Sequence, residues 1–228
     1  MRSLINVLDE INESFFYSRP ITKENKRIFS NFIASRQGQP GAYNRMFFAP
    51  TADDDMSHYK LFTGETPSRL SALHIVGEEC CRALLKLGVN DSQSKLALEK
   101  ASSSVLGAYS RYRTRTGKRS FPKAFFCCPK CTCGFWRHLS ARVDDQSEEY
   151  LSDGMDALKS WRNGKGGWNM FPQHYTLLAL TEMDSKKVKA ELKYAAKFCE
   201  EELSKVKRIS LKFPQRRLEV MKRVLELI

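Results

Sequence analysis

The chain has 228 residues, 42% hydrophobic and 28% charged, with a formal net charge of +12. This is ordinary globular usage for one full domain or two small ones, and it excludes general disorder. No stretch is apolar for long enough to span a bilayer, and the first residues do not read as a signal peptide. The 7 cysteines, odd in number and mostly clustered, point to reduced thiols in a cytoplasmic setting rather than a disulfide framework.

In chain order, Leu4, Ile5, Leu8, Ile11, Phe15 and Phe16 recur at helical spacing, and Arg19-Pro20 ends that pattern. Thr22, with Glu24 behind it, is an N-cap for a second helix through Phe32 and Ile33, and Gly38, Pro40 and Gly41 then break the chain. A strongly apolar helical pattern runs from Ser68 to Leu87 and includes Leu70, Leu73, Ile75, Val76, Cys80, Cys81 and Leu84. Gly88 stands at its C′ position. Ser92 to Tyr112 reads as the next helix. Pro129 suits the first turn of another, reaching about Val143. Further helices are predicted over Glu148–Trp161, Gln173–Met183, Ser185–Lys207 and Pro214–Leu227. Alternating, β-branched runs that would make strands are missing.

Three connectors share a form: Arg36 to Pro50, Tyr112 to Pro122, and Trp161 to Pro172. Each is basic, broken by glycine and closed by an aromatic residue near a proline. Repeated helix–connector–helix units imply a stack. The expected fold is all-α, stacked helical hairpins forming a compact or incomplete α/α toroid over residues 1–183. A basic amphipathic helical tail over 184–228 packs on it.

Arg162-Asn-Gly-Lys-Gly166-Gly-Trp168, followed by Phe171-Pro172-Gln-His174-Tyr-Thr-Leu-Leu-Ala-Leu180, resembles a repeat of the terpenoid cyclase and protein prenyltransferase superfamily, with Arg162 where that repeat has Gln. The β subunits of the prenyltransferases have a zinc-binding Cys shortly before Phe-Trp and a zinc-binding His opening a later helix. Cys131 or Cys133 before Phe135-Trp136, and His174 before Tyr175, resemble that arrangement. The acid preceding the prenyltransferase cysteine has no counterpart, and Ala52-Asp53-Asp54-Asp55 lacks the first acid of the protonating cyclases' Asp-x-Asp-Asp. The resemblance covers roughly residues 60 to 185 and implies an α/α ring. In such a ring Trp136, Trp161, Trp168, Phe171 and Tyr175 would line a cavity, although aromatic residues also simply make cores.

The densest chemistry lies at Cys127, Cys128, Cys131 and Cys133, with His138 close behind. Cys128-Pro-Lys-Cys131 has the C-x2-C spacing that lets two thiolates chelate one ion. Sulfur ligands select zinc, or an iron–sulfur cluster as second choice. Lys130, Arg137 and the helix N-terminus are expected to favour the thiolate. On one straight helix Cys131 and His138 are about 10.5 Å apart in rise, so a ligand from another helix is preferred. The expected set is Cys128, Cys131, Cys133 and His174, with Cys127 and His138 as second choices. His58 and His74 have no such context, and Cys80, Cys81 and Cys199 read as small buried hydrophobes.

Between Lys100 and Arg142 there are ten Lys/Arg and no Asp/Glu, and a further +6 lies between Asp184 and Ile228. Arg113, Arg115, Lys118, Arg119 and Arg162 are therefore candidate anion-binding residues, though a solvated basic face has the same composition. Three functions stay open. One is a zinc-binding enzyme on an apolar or phosphorylated small molecule. The second is a zinc-stabilised module binding nucleic acid through residues 100–142. The third is a helical interaction scaffold with a structural metal. The C-x2-C pair is common to all three.

Overall fold

Most helices begin where the sequence supplies a side-chain acceptor for a backbone N–H that has no partner in the first turn. Ser3 accepts from Asn6, Thr22 from Asn25, Ser68 from Ser71, Asp91 from Ser94, Asp144 from Ser147 and Ser185 from Val188, at 2.7–3.2 Å. The computed structural model describes residues 3–47, 56–113, 124–142, 144–206 and 210–228. Among these residues the helices are α1 (Leu4–Phe16), α2 (Lys23–Ala34), α3 (Arg69–Leu87), α4 (Ser92–Arg113), α5 (Pro129–Ser140), α6 (Asp145–Lys159), α7 (Gln173–Thr181), α8 (Lys186–Ser204) and α9 (Lys212–Glu226), with 3₁₀ turns at Tyr43–Arg45 and Met56–His58. No strand occurs among them, only an isolated antiparallel bridge between Arg162 and Trp168. The protein is all-α.

The helix expected from Glu148 starts earlier, at Asp145, because Asp144 caps it and Asp145 and Glu148 sit favourably in its first turn. The helix expected to reach Val143 stops at Ser140. Connector Tyr112–Pro122 lies almost wholly outside the described residues. So do Asp53, Asp54, Asp55, Arg115, Lys118 and Arg119.

The chain divides into two units. The first comprises Met1–Tyr59 and Pro67–Gly117, the second Lys60–Thr66 and Lys118–Ile228. In the first, α3 packs against α1, α2 and α4, and α2 also meets α4. Gly88 ends α3 in the left-handed conformation at φ 67°. Leu8, Ile11, Phe29, Ile33, Ile75, Leu84, Ala101 and Val105 are core. Leu70, read from the sequence as part of the apolar stripe, is 70% exposed. The same helix buries Glu79 and Arg82, which share Asn12 of α1: its amide nitrogen donates to Glu79 at 3.1 Å, and its oxygen accepts from Arg82 at 2.6 Å.

In the second unit α5 packs against α6 and α7, α6 against α8, and α7, α8 and α9 against one another. The short segment Lys60–Thr66 is bound into this unit by hydrogen bonds. Arg216 donates to the Phe62 carbonyl at 3.1 Å, Arg217 to the Thr63 carbonyl at 2.6 Å, and Lys130 to the Thr66 carbonyl at 2.9 Å. Glu65 completes the attachment. Pro172 offers no side-chain cap to α7, and the Glu65 carboxylate accepts from the backbone N–H of Tyr175 at 3.3 Å instead.

Trp136 of α5 fixes the α5–α6 approach. Its indole stacks on Phe171 at 5.8 Å and meets Phe125 at 6.3 Å. A Cβ at Gly154 of α6 would come within 2.5 Å of its Nε1 and 2.9 Å of its Cε2. An interior helical glycine normally gains about 1 kcal/mol on change to alanine, but the Trp136 ring is 1% exposed and has nowhere to go. Gly154→Ala is therefore expected to destabilise by roughly 1–2 kcal/mol net, overpacking outweighing propensity. Urea unfolding checks this, and a stabilised variant would refute the packing argument.

Candidate metal-binding thiol site

All 7 cysteines are thiols, and none forms a disulfide. The site begins with an unusual cap. Cys128, in extended conformation at φ −153° and ψ 167°, is the N-cap of α5, and its sulfur accepts from the Cys131 N–H at 3.5 Å. Pro129 occupies the first helical position, where its fixed φ fits and its lack of an N–H costs nothing. The cap turns the Cys128 side chain back over the helix end, and its sulfur lies 3.4 Å from that of Cys131. Cys127 places its sulfur within 4.8 Å of Cys131. Cys127 and Cys128 are half-buried, Cys131 fully buried.

Two thiolates on one tetrahedral zinc, each about 2.3 Å from the ion, are about 3.8 Å apart. The Cys128–Cys131 separation is within a few tenths of that value. Cys127, a second choice from sequence, is also near Cys131, although Cys128 belongs to no group of three potential ligand atoms that all lie within 4.8 Å of one another among the described residues. Buried thiols at this helix end can hold a metal.

The other two expected ligands do not converge with them. Among the described residues, neither Cys133 nor His174 belongs to a group of three potential ligand atoms within 4.8 Å. Cys133 is 0% exposed and its sulfur lies 3.4 Å from the Thr176 hydroxyl. Burial pushes its thiol far above the usual range and outweighs the opposing Thr176 hydrogen bond. His174, at the start of α7, lies 6.3 Å ring to ring from Phe198, and burial lowers its pKa while Glu65 acts in the other direction. Proximity in sequence and a helix-start position suggested both residues, but their side chains face other neighbours.

The cations expected to stabilise thiolates are engaged elsewhere. Lys130 donates to the Thr66 carbonyl. Arg137, 2% exposed, holds Glu182 through two hydrogen bonds of 3.0 and 3.1 Å. Arg162, expected to bind an anion, likewise holds Glu191 at 3.0 and 2.8 Å and lies 4.3 Å from the centre of the Tyr194 ring, while Trp168 Nε1 donates to the same carboxylate at 2.9 Å. Of the other candidate anion-binding residues, Arg113 closes α4 in the first unit. Of the aromatic residues expected to line a cavity, Trp161 is half-buried, and Trp136, Trp168, Phe171 and Tyr175 are 1–7% exposed. Trp136 and Phe171 are stacked on each other and Tyr175 lies under the Arg137 guanidinium at 5.6 Å. They are core.

Glu65 was not legible as part of this neighbourhood, because it is 110 residues from the N–H it accepts. The only sequence signal for it is negative: Pro172 before α7 leaves that helix without a cap of its own. In the first unit His74 is buried against Tyr43, with ring centres 3.7 Å apart. Comparison of the chain with protein-family models, curated proteins and solved structures returns no match.

His138 gives the second unit a definite acid response. It is 0% exposed, with Phe135 edge-on at 6.5 Å. Burial, aided by Arg142 and opposed by Asp144, lowers its pKa to about 3. The unfolded imidazole titrates near 6.5. Between these values the unfolded chain binds the extra proton, so the stabilisation is whole above the unfolded value and is lost as pH falls toward the folded one. His138→Leu should remove about 2 kcal/mol of the stability that the wild-type protein loses between about pH 6.5 and 4.5. Urea unfolding of both proteins across that range measures it, and parallel slopes would contradict the assignment.

Proposed function

We propose that the protein binds zinc through Cys127, Cys128 and Cys131 at the start of α5, with a histidine completing the set, and that the ion is structural. The observation that carries this reading is the 3.4 Å separation of two unoxidised sulfurs at a capped helix start. Ordered thiols already near the zinc-bound spacing lose little freedom on binding. Sulfur-rich donors favour zinc over magnesium or calcium. Three thiolates and one histidine would fill a tetrahedral sphere and leave no open position for substrate, the arrangement of a structural rather than a catalytic ion. Metal bound here would tie Cys127, outside the helix, to Cys131 inside it and so hold α5 at its N-terminus.

Protein purified under reducing conditions should contain about one zinc per chain. Its cobalt-substituted form should show thiolate-to-cobalt charge transfer and tetrahedral d–d absorption. Cys131→Ser should abolish both signals, whereas Cys133→Ser should retain them, since Cys133 is turned toward Thr176. The chain has 4 histidines, so replacing His58, His74, His138 and His174 one at a time identifies the remaining ligand. Metal at trace level in the reduced wild-type protein would end the proposal.

A further inference from the structure

The geometry points to a second activity of the same thiols: Cys128 and Cys131 form a dithiol–disulfide exchange pair, with Cys128 attacking and Cys131 resolving. The inference shares residues with the zinc reading but does not need the ion. Zinc-bound and disulfide-bonded forms are alternative states of one pair, and exchange belongs to the metal-free chain.

Three observations carry it. First, the sulfurs are 3.4 Å apart, joined by a Cys128 S–H···S hydrogen bond and not by a disulfide, which is about 2.05 Å long. Closing the bond needs a movement of roughly 1.4 Å by two side chains. Cys128 lies outside the helix proper, in extended conformation, so turning its χ1 gives up the cap bond from the Cys131 N–H and leaves the backbone hydrogen bonds of α5 in place. Second, the two differ in access. Cys128 is half-buried while Cys131 is 0% exposed. A substrate disulfide can reach the first sulfur and not the second, and this fixes the order of events. Third, the Cys131 N–H directed at Cys128 Sγ stabilises charge on that sulfur when it attacks.

The steps balance with a disulfide R–S–S–R as oxidant. The Cys128 thiol gives its proton to solvent, and its thiolate attacks one sulfur of R–S–S–R, forming Cys128–S–S–R. The displaced RS⁻ takes up a proton. Cys131 then loses its proton to solvent and attacks the Cys128 sulfur across the 3.4 Å gap. The Cys128–Cys131 bond forms, and the second RS⁻ leaves and is protonated. Two protein thiols are oxidised by two electrons, and R–S–S–R is reduced to two RSH. Cys133 takes no part: it is buried beside Thr176.

The test uses the full chain, treated with chelator and equilibrated with mixtures of reduced and oxidised glutathione. Remaining thiols are alkylated and the modified positions mapped by tandem mass spectrometry, with Lys130 giving a tryptic cut between the two cysteines. The expected product is a Cys128–Cys131 disulfide that dithiothreitol reverses. In Cys131→Ser, glutathione should accumulate on Cys128. In Cys128→Ser, Cys131 should remain alkylatable only after unfolding. A Cys127–Cys131 disulfide as the main product would overturn the proposal, as would glutathione staying on Cys128 of the wild-type chain, or unchanged thiols throughout. Because the wild-type protein alone carries the principal result, misfolding of a variant does not obscure it. Zinc analysis of the reduced protein is a separate measurement. Zinc bound without exchange removes this inference alone, while exchange without zinc removes the metal reading alone. Adding zinc before the glutathione mixture should suppress the disulfide if both hold.

Discussion

Burial of α5 from Cys131 to Leu139 is the constraint on which the second unit depends. Every residue of that stretch is buried, including Arg137 and His138. A buried guanidinium needs a matched acceptor, because losing one partner of a buried pair leaves an uncompensated charge. Glu182, just after α7, meets Arg137 with two parallel hydrogen bonds. That pair fixes where α7 ends relative to α5. At His138 burial outweighs the opposing charge of Asp144 and keeps the imidazole neutral. Thr132 turns its hydroxyl to the Phe126 and Cys128 carbonyls, both at 2.9 Å, so the polar groups of this helix are directed inward or along the chain. For Arg137 and Thr132 the cost of burial is offset by hydrogen bonds, and for His138 the charge itself is avoided.

The same constraint separates the four clustered cysteines into different chemical kinds. The helix enters the core within one turn, so Cys127 and Cys128 stand at its half-buried mouth while Cys133 is already inside. Desolvation then makes Cys133 an inert thiol, and the cap geometry makes Cys128 and Cys131 a close pair. Four residues that look alike in sequence therefore divide by depth along a single helix turn. Depth depends on how α5 packs against α6 and α7, and no local pattern specifies it.

Much of the fold could be read from the sequence, for reasons that particular residues make plain. Ser68, Thr22 and Gly88 announced helix ends because capping is a contact within three or four residues. The C-x2-C pair could be read for the same reason, since Cys128 and Cys131 meet across one helix turn. What escaped detection was long-range. Arg162 looked like an exposed anion site in a basic connector, but Glu191 lies 29 positions on and takes its charge. Leu70 fitted an apolar stripe that the packing of α3 does not use. Trp136, Phe171 and Tyr175 were recognisable as a group, yet whether aromatic rings surround a space or fill it depends on tertiary packing.

The start of α7 shows how such a long-range contact bears on the thiol site. Pro172 cannot cap the helix, so Glu65 does, and the Lys60–Thr66 segment carrying Glu65 is also held by Lys130, one of the two residues between Cys128 and Cys131. The Lys130 ammonium is anchored to a backbone carbonyl rather than left mobile beside the thiols. The Cys128–Cys131 spacing follows from an extended N-cap, a proline at the first helical position and this anchored lysine, none of which requires a metal. The pair is thus organised by the helix start itself. A ligand or oxidant arriving there meets sulfurs already placed, and the ordering cost that a flexible Cys-x-x-Cys loop would pay on binding has been met in folding.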